Sequence, residues 1–352
     1  VNKGGALLKS AVGAARYRLT GHRMPLSVTL LVTTRCNALC TYCALPLQRR
    51  AELDTREMIE LVDAMAASGA VRVGIGGGEP LVRDDIGAII ERCTAHGIWT
   101  TLETNGYRYP AVADELRGLG RLMISLDGDE AAHDANREPG AWKQAMAAVV
   151  EATRRGVDVH TVTTLTRHNL DDIGAVLDLA DTYGFVAQFQ TLQRRPYLSE
   201  ARAVDLAPDD ALLRKALRGL LEARLAGRRV GATEKYLRYL LAWKDFAVTT
   251  SLAPQEDLHC LAGQLYCAVM PDGTVTACSS LLGGGAGRNV RDGGFAAAFA
   301  HLRDNPCRAC TSTALTEYNY LYNLNAPTLL ELAKSLRAPV GPGTGAPRRG
   351  VA

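Results

Sequence analysis

Ser27–Cys43 reads SVTLLVTTRCNALCTYC: a β-branched, apolar run, then three cysteines within eight positions. The run SVTLLVT predicts a strand, and the cysteines fall directly behind its C-terminal end. A structural zinc site takes four ligands, and disulfides take an even number. Three neighbouring thiols therefore need a ligand from elsewhere, or hold a metal left one protein ligand short. Positions i, i+4 and i+7 also share one helix face, so a buried thiol stripe on an amphipathic helix is the alternative. Against it stand the lead-in Thr33-Thr34-Arg35 and the nearby Pro46.

Beyond this strand the chain alternates. TREMIELVDAMAASG predicts a helix closed by Gly69, VRVGI a second strand, DDIGAIIERCTAHG a helix, IWTTLET a third strand and LMISLD a fourth. WKQAMAAVVEATRRG and LDDIGAVLDLADTYG predict helices around a fifth strand, VDVHTVTTL, and FVAQFQTL a sixth. Six β/α repeats predict an α/β fold, a partial (β/α)6 TIM-like barrel over residues 27–195 with right-handed crossovers. Residues 1–26 read as a helical extension closing the barrel's bottom. The basic residues Lys9, Arg16, Arg18 and Arg23 leave a weak membrane-surface contact as the alternative. Residues 196–258 read as a helical linker, and 259–335 as a small cysteine-rich α+β domain whose hairpin LYCAVMPDGTVTAC turns at Asp272-Gly273. Pro327 is expected to interrupt the last helical run, and the Gly/Pro-rich tail 336–352 to be disordered.

Composition narrows the function. With 352 residues and a formal charge of +3, nothing argues for nucleic acid. No stretch is apolar enough to span a bilayer or to serve as a signal peptide, so a cytoplasmic protein is expected. In a reducing compartment nine cysteines are ligands, catalytic groups or core residues. Cys36, Cys40 and Cys43 form a front group, Cys260, Cys267, Cys278, Cys307 and Cys310 a rear group, and the isolated Cys93 reads as a core residue. Two metal sites are expected.

In a β/α barrel, functional groups occupy the C-terminal ends of the strands. There lie CxxxCxxC with Tyr42 before its last cysteine, and Gly76-Gly77-Gly78-Glu79-Pro80. Ile124-Ser125-Leu126-Asp127-Gly128 follows, running on to His133-Asp134-Ala135-Asn136-Arg137. In combination these resemble the radical S-adenosylmethionine (radical SAM) superfamily. The resemblance implies that Cys36, Cys40 and Cys43 hold a [4Fe-4S] cluster whose open iron takes the amino and carboxylate groups of SAM. One electron then breaks the sulfur–carbon bond, giving methionine and a 5′-deoxyadenosyl radical that abstracts hydrogen from substrate. It also implies SAM contacts from Gly77, Gly78 and Glu79 (the ammonium), from Ser125 and Arg137 (ribose and carboxylate), from Tyr42 (adenine or cluster) and from Leu165 (apolar contact). The bland readings are a tight turn at GGGEP and an exposed Arg137 paired with Asp134 or Glu138. Glu103, Thr104 and Asn105 meet SAM or substrate, or form a turn at Asn105-Gly106.

The rear layout CxxG…PDGxVxxC…CxxC resembles the SPASM/twitch extensions of that superfamily, and a zinc ribbon is the alternative. The resemblance implies a second, auxiliary [4Fe-4S] cluster on Cys260, Cys278, Cys307 and Cys310. Cys267 is then spare: buried in the hairpin, replacing a misassigned ligand, or facing substrate as a hydrogen-atom donor, which would mean epimerisation. The leading expectation is an oxidoreductase acting on a small biosynthetic intermediate. Gln190, Gln193, Arg194 and Arg195 would line its cavity, and an external one-electron donor such as flavodoxin or ferredoxin would supply the electron. The alternative is a peptide-modifying maturase or epimerase. It stands second because the first strand begins about two dozen residues into the chain, leaving no room for a leader-binding domain. The same shortage argues against a cobalamin-binding domain. The rival from a different class is a non-catalytic iron–sulfur electron carrier.

Overall fold

The computed structural model describes residues 3–193, 205–253, 258–281, 287–302 and 307–335. The expectations for Arg194, Arg195 and the tail 336–352 lie outside the described residues. In chain order come helix α1 (Lys3–Thr20), strand β1 (Ser27–Thr33), α2 (Thr55–Ala67), β2 (Arg72–Gly77), α3 (Ile86–Ala95), β3 (Trp99–Thr104) and β4 (Arg121–Ser125). There follow α4 (Glu130–Asn136), α5 (Ala141–Arg154), β5 (Val159–Leu165), α6 (Ile173–Tyr183), β6 (Val186–Thr191), α7 (Asp210–Leu225) and α8 (Glu234–Ala242). The rear part supplies β7 (Tyr266–Val269), β8 (Thr274–Thr276), β9 (Arg288–Asn289), α9 (Gly294–His301), α10 (Thr313–Tyr322) and α11 (Ala326–Ser335).

Strands β1 to β6 pair in parallel in sequence order, as the repeats predict. Alternation along each strand separates two environments. One face carries Val28, Leu30, Val32, Val73, Ile75, Leu102, Leu122, Ile124, Ala187 and Phe189, all buried in one apolar core with α2, α3, α5 and α6. The other carries Thr29, Gly74, Thr101, Glu103, Met123, Ser125, Gln188 and Gln190, which are half-buried or exposed. Short and polar residues do not fill a barrel the way layered Val, Ile and Leu do. The lumen is instead a cavity of about 1400 Å3, lined from Tyr42, Cys43 and Gly77 at the strands' C-terminal ends down to Arg72, Arg121 and the first turn of α1.

The rear part adds strands to the barrel sheet. Strand β7 pairs in parallel with β1, from Ser27↔Tyr266 to Leu30↔Val269, so the hairpin extends the barrel sheet to the order β9-β8-β7-β1-β2-β3-β4-β5-β6. The linker joins the same body. Leu213, Leu217, Leu220, Tyr236, Leu237 and Leu240 of α7 and α8 enter the barrel's apolar core. Arg229–Gly231 bonds to the outer edge of β6 through Ala187 N to Arg229 O (2.8 Å) and Gly231 N to Ala187 O (2.7 Å). Both edges of the six-stranded unit are thus occupied, which satisfies backbone groups an open edge would leave bare. The last helical run does break in two, but before Pro327. Leu324 adopts φ 54°, and its N–H and that of Asn325 bond back to Leu321 O and Tyr320 O at 3.0 Å, ending α10. Pro327 sits in the first turn of α11, where its missing N–H costs nothing. No described helix is long and apolar enough to cross a membrane.

Candidate active site

The front thiols lie on the loop after β1, each half-buried, with Cys43 and Tyr42 at the mouth of the lumen. They follow the strand without forming a helix, so the stripe alternative drops away. Two neighbours fix the loop. Thr41 donates through N (3.0 Å) and Oγ1 (2.8 Å) to Asn136 O at the end of α4. On the other side Gly78 N donates to Thr33 O and Glu79 N to Arg35 O, both at 2.8 Å. The glycines serve that seam. A Cβ on Gly77 (φ 131°) would collide with Thr33 O, and one on Gly78 would stand 2.7 Å from Thr34 O and closer still to Arg35 O. What approaches closely here is the chain's own cysteine loop.

Glu79 is 1% exposed and spends its carboxylate on the protein. Oε1 accepts from Thr104 Oγ1 (2.7 Å) and Leu81 N (3.0 Å), Oε2 from Asn105 N (2.7 Å). Burial raises its pKa, and the Asn105 and Thr104 bonds pull it back. Asn105 in turn donates to Asn37 Oδ1 at 2.8 Å, tying β3 to the residue after Cys36.

Asp127 organises the opposite wall. Fully buried, it accepts at Oδ2 from Tyr42 OH (2.8 Å) and Arg137 Nε (2.7 Å), and at Oδ1 from Thr164 N (2.9 Å). Arg137 is therefore neither exposed nor paired with Asp134 or Glu138. Its Nη2 donates to Tyr42 OH at 2.7 Å and its Nη1 lies 3.5 Å from Cys40 Sγ. Burial opposes the charge, but Asp127 holds the Arg137 pKa well above its usual value. Burial also pushes the three thiols up, Cys40 to about 11, with Arg137 countering it. Asp127 N donates to His133 Nδ1 at 2.9 Å, and burial holds His133 down to about 4, so the ring stays a neutral acceptor. Asn169 Nδ2 bridges Asp127 O (2.7 Å) and Thr164 O (2.8 Å). Sequence reasoning assigned no role to Asp127, His133, Asn136 or Asn169. The first three stand inside the quoted SLDG…HDANR segment, which was the available signal.

Other expected site residues divide. Ser125 shares the lumen face of β4 with Met123, and Gln190 and Gln193 line the cavity. Gln190 Nε2 donates to Thr164 Oγ1, and Gln193 Nε2 to Thr311 Oγ1, both at 3.1 Å. Glu103 projects into the lumen, its pKa raised by burial among protein atoms. Leu165 does not reach the site: it is 1% exposed within the outer apolar core, and its neighbour Thr164 is the residue that faces the cavity. Cys267 is likewise no hydrogen donor to a substrate. It pairs with Val28, shares that residue's core face and is 1% exposed, with burial raising its pKa far above the thiol range. Cys93 is fully buried on α3, its thiol pushed up to about 12.

At the rear, Cys260, Cys278 and Cys310 share an apolar cluster with Tyr266, and all three act electrostatically on its phenol. Cys260 Sγ lies 3.4 Å from Tyr266 OH. Cys310 is held by a short pairing of Ala309–Cys310 with Thr250–Ser251, beside which Cys307 is 8% exposed. Among the described residues no three His, Cys, Asp or Glu side chains converge on a single metal-ion position.

Comparison with known proteins decides the family. The model of the "Radical SAM superfamily" matches residues 30–180. The mycofactocin maturase MftC of Mycobacterium ulcerans is 31% identical over 281 residues, 77% of this chain and 73% of the relative. The chain belongs to the radical SAM superfamily. The PqqA peptide cyclase of Ruegeria pomeroyi is 30% identical over 265 residues, 72% of this chain and 67% of the relative. Among solved structures, Streptococcus suis SuiB bound to S-adenosylmethionine shares the fold. Its TM-score is 0.62 at 16% identity, covering 79% of this chain and 66% of SuiB, just under two thirds of that protein's length. As a radical SAM enzyme the chain takes SAM and a [4Fe-4S] cluster, and the donor set fits both. Three neighbouring thiols on one loop, with Cys43 lining the cavity and Cys40 beside a guanidinium, would leave a fourth iron to an external chelate.

Proposed function

We propose that this radical SAM enzyme is a peptide maturase, with Cys36, Cys40 and Cys43 holding the SAM-cleaving cluster and Cys260, Cys278, Cys307 and Cys310 an auxiliary [4Fe-4S] cluster. The observation that carries it is the thiol loop whose Cys43 lines a hollow lumen of about 1400 Å3, room for several residues of an extended chain. The relatives support a peptide over a small intermediate. PqqA is named as a peptide, and SuiB is also known bound to its precursor peptide SuiA. The earlier preference for a small biosynthetic intermediate and an oxidative outcome gives way to this reading.

When bound, the cluster and SAM supply a 5′-deoxyadenosyl radical, an abstractor of unactivated hydrogen. The protein's part is placement. The Gly77–Gly78 seam and the Asn136 carbonyl clamp the cysteine loop from two sides, so the thiols are preorganised. Asp127 locks Tyr42 and Arg137 against the loop's far wall, and Arg137 favours the thiolate of Cys40 over the thiol. Ser125, Gln190 and Thr164 present neutral hydrogen-bonding groups toward the nucleoside and substrate. At the rear, Cys278 and Cys310, buried with Tyr266, Leu261 and Leu315 beside the half-buried Cys260, would together with Cys307 surround a fully ligated centre, suited to passing an electron rather than binding substrate.

Anaerobic reconstitution tests the scheme. Wild type is expected to carry about eight irons and the Cys36/Cys40/Cys43 triple alanine variant about four. With SAM and dithionite the wild type is expected to release 5′-deoxyadenosine and to change the mass of a peptide encoded beside its gene. Zinc in place of iron, or no 5′-deoxyadenosine, defeats the enzyme reading. Turnover of a small metabolite but of no peptide defeats the maturase reading.

A further inference from the structure

Below the rim the lumen does not end on apolar side chains. Its floor gathers Lys3 and Gly4 from the first turn of α1, Arg72 of β2, Trp99 of β3, Arg121 of β4, Asp158 just ahead of β5, and His160. Three cations face one carboxylate. Arg121 takes it, with Nε and Nη2 at 3.0 and 2.8 Å from Asp158 Oδ2. His160 lies with Nε2 3.5 Å from Asp158 Oδ1, and its Nδ1 is 3.1 Å from Gln188 Nε2. Burial holds its pKa down to about 4, so it adds no charge near neutral pH.

Arg72 is left over. Its guanidinium lies 4.8 Å from the Trp99 ring centroid and 5.3 Å from that of Tyr318, and its buried Nε has no hydrogen-bond partner. Lys3 lines the same floor. Burial and Arg121 pull its pKa down, and Asp158 offsets only part of that. Three positive charges against one negative leave two uncompensated, in a space walled by ring faces. Such an arrangement costs free energy unless an anion completes it.

We propose that the barrel floor is an anion subsite that seats the C-terminal carboxylate of the peptide substrate between Lys3 and Arg72, with the Trp99 ring as its wall. This deepens the maturase reading and rests on it. A floor closed by α1 suits a chain end better than a side chain projecting from mid-peptide. Four strand steps carry β4 from Arg121 to Ser125, about 13 Å at a strand's rise. A carboxylate on the floor therefore brings a residue about four positions upstream to the thiol rim. Inorganic phosphate offers the same oxyanion chemistry, and the test separates the two.

The measurement is isothermal titration calorimetry on the cluster-reconstituted protein, without reductant and at fixed ionic strength. The probes are N-acetyl-tetra-alanine as the free acid, the same peptide as its C-terminal amide, and inorganic phosphate. The free acid is expected to bind saturably and the amide at least about tenfold more weakly. Arg72→Gln and Lys3→Gln are each expected to weaken the free acid about tenfold or more, the scale of one charge-assisted hydrogen bond. Among the described residues Arg72 makes no ion pair, and Lys3 stands in the first turn of α1, where a helix frays most readily, so at least one variant is expected to remain folded for comparison. Equal binding of acid and amide, or unchanged affinity in either folded variant, overturns the proposal. Phosphate binding without a peptide response assigns the floor to a free inorganic anion and overturns it too. The titration needs neither SAM nor turnover. An enzyme that discriminates acid from amide yet modifies no peptide sinks only the maturase reading.

Discussion

Gly78→Ala strikes the seam between the second strand's end and the cysteine loop. An added Cβ would stand 2.7 Å from both Thr34 O and the carbonyl carbon of Arg35, and closer to Arg35 O. Contacts between such atoms settle at about 3.5 Å, so backbone must give way by about 1 Å. Backbone cannot swing aside as a side-chain tip can. Overpacking of this kind costs about 1–3 kcal/mol. The shift also strains Gly78 N to Thr33 O and Glu79 N to Arg35 O, each worth about 1 kcal/mol. The expected loss is about 2–5 kcal/mol in urea unfolding of the apoprotein. Because Arg35 precedes Cys36, the reconstituted variant is also expected to lose the front cluster, retaining roughly half the iron. Gly76→Ala is the control. Its Cβ would meet Glu103 Oε2 at 3.5 Å, an ordinary contact with a movable side chain, and it is expected to cost less than about 1 kcal/mol. If Gly78→Ala unfolds within about 0.5 kcal/mol of wild type, or no earlier than Gly76→Ala, the seam does not position the thiols.

Two further perturbations probe buried charge. Arg137→Met leaves the Asp127 carboxylate, 0% exposed, without its cation and is expected to cost about 3–5 kcal/mol. Adding Asp127→Asn is expected to recover at least about 1 kcal/mol of this in a double-mutant cycle, and strictly additive losses would contradict the pairing. Glu317 on α10 accepts from Thr233 N at 2.8 Å while its Oε2 is buried without a partner, and burial raises its pKa to about 7. A carboxyl whose folded pKa lies above its unfolded value contributes stability that is complete below about pH 4.5 and is lost as pH rises through 7, some 3 kcal/mol in all. Glu317→Gln is therefore expected to flatten the decline of unfolding free energy between pH 5 and pH 8, and identical slopes in the two proteins would refute the assignment.

What sequence could and could not reveal follows from the range over which each signal acts. Strand order was legible because the apolar alternation of Val28, Leu30 and Val32, or of Leu122 and Ile124, is local and each crossover helix carries its own amphipathic stripe. The thiol trio and GGGEP were legible because their spacing is local too. Facing was harder. Leu165 and Thr164 differ by one position, and a one-residue error moves a side chain from lumen to core. Cys267 sits in Tyr266–Val269, buried at every position, so no alternation marks its face. The parallel pairing of β7 with β1 joins residues more than two hundred positions apart, and no local pattern announces it. Asp127 escaped for the same reason: its partners Tyr42, Arg137 and Thr164 come from three separate segments. Its chemistry appears only when β4, β5 and the cysteine loop meet. The cationic floor is the extreme case. Lys3, Arg72, Arg121 and Asp158 each look like an ordinary solvated charge in sequence, and only the closing of the barrel turns them into an unbalanced cluster. Sites assembled by topology rather than by motif therefore stay hidden until the fold exists, and the least expected function is best sought among them.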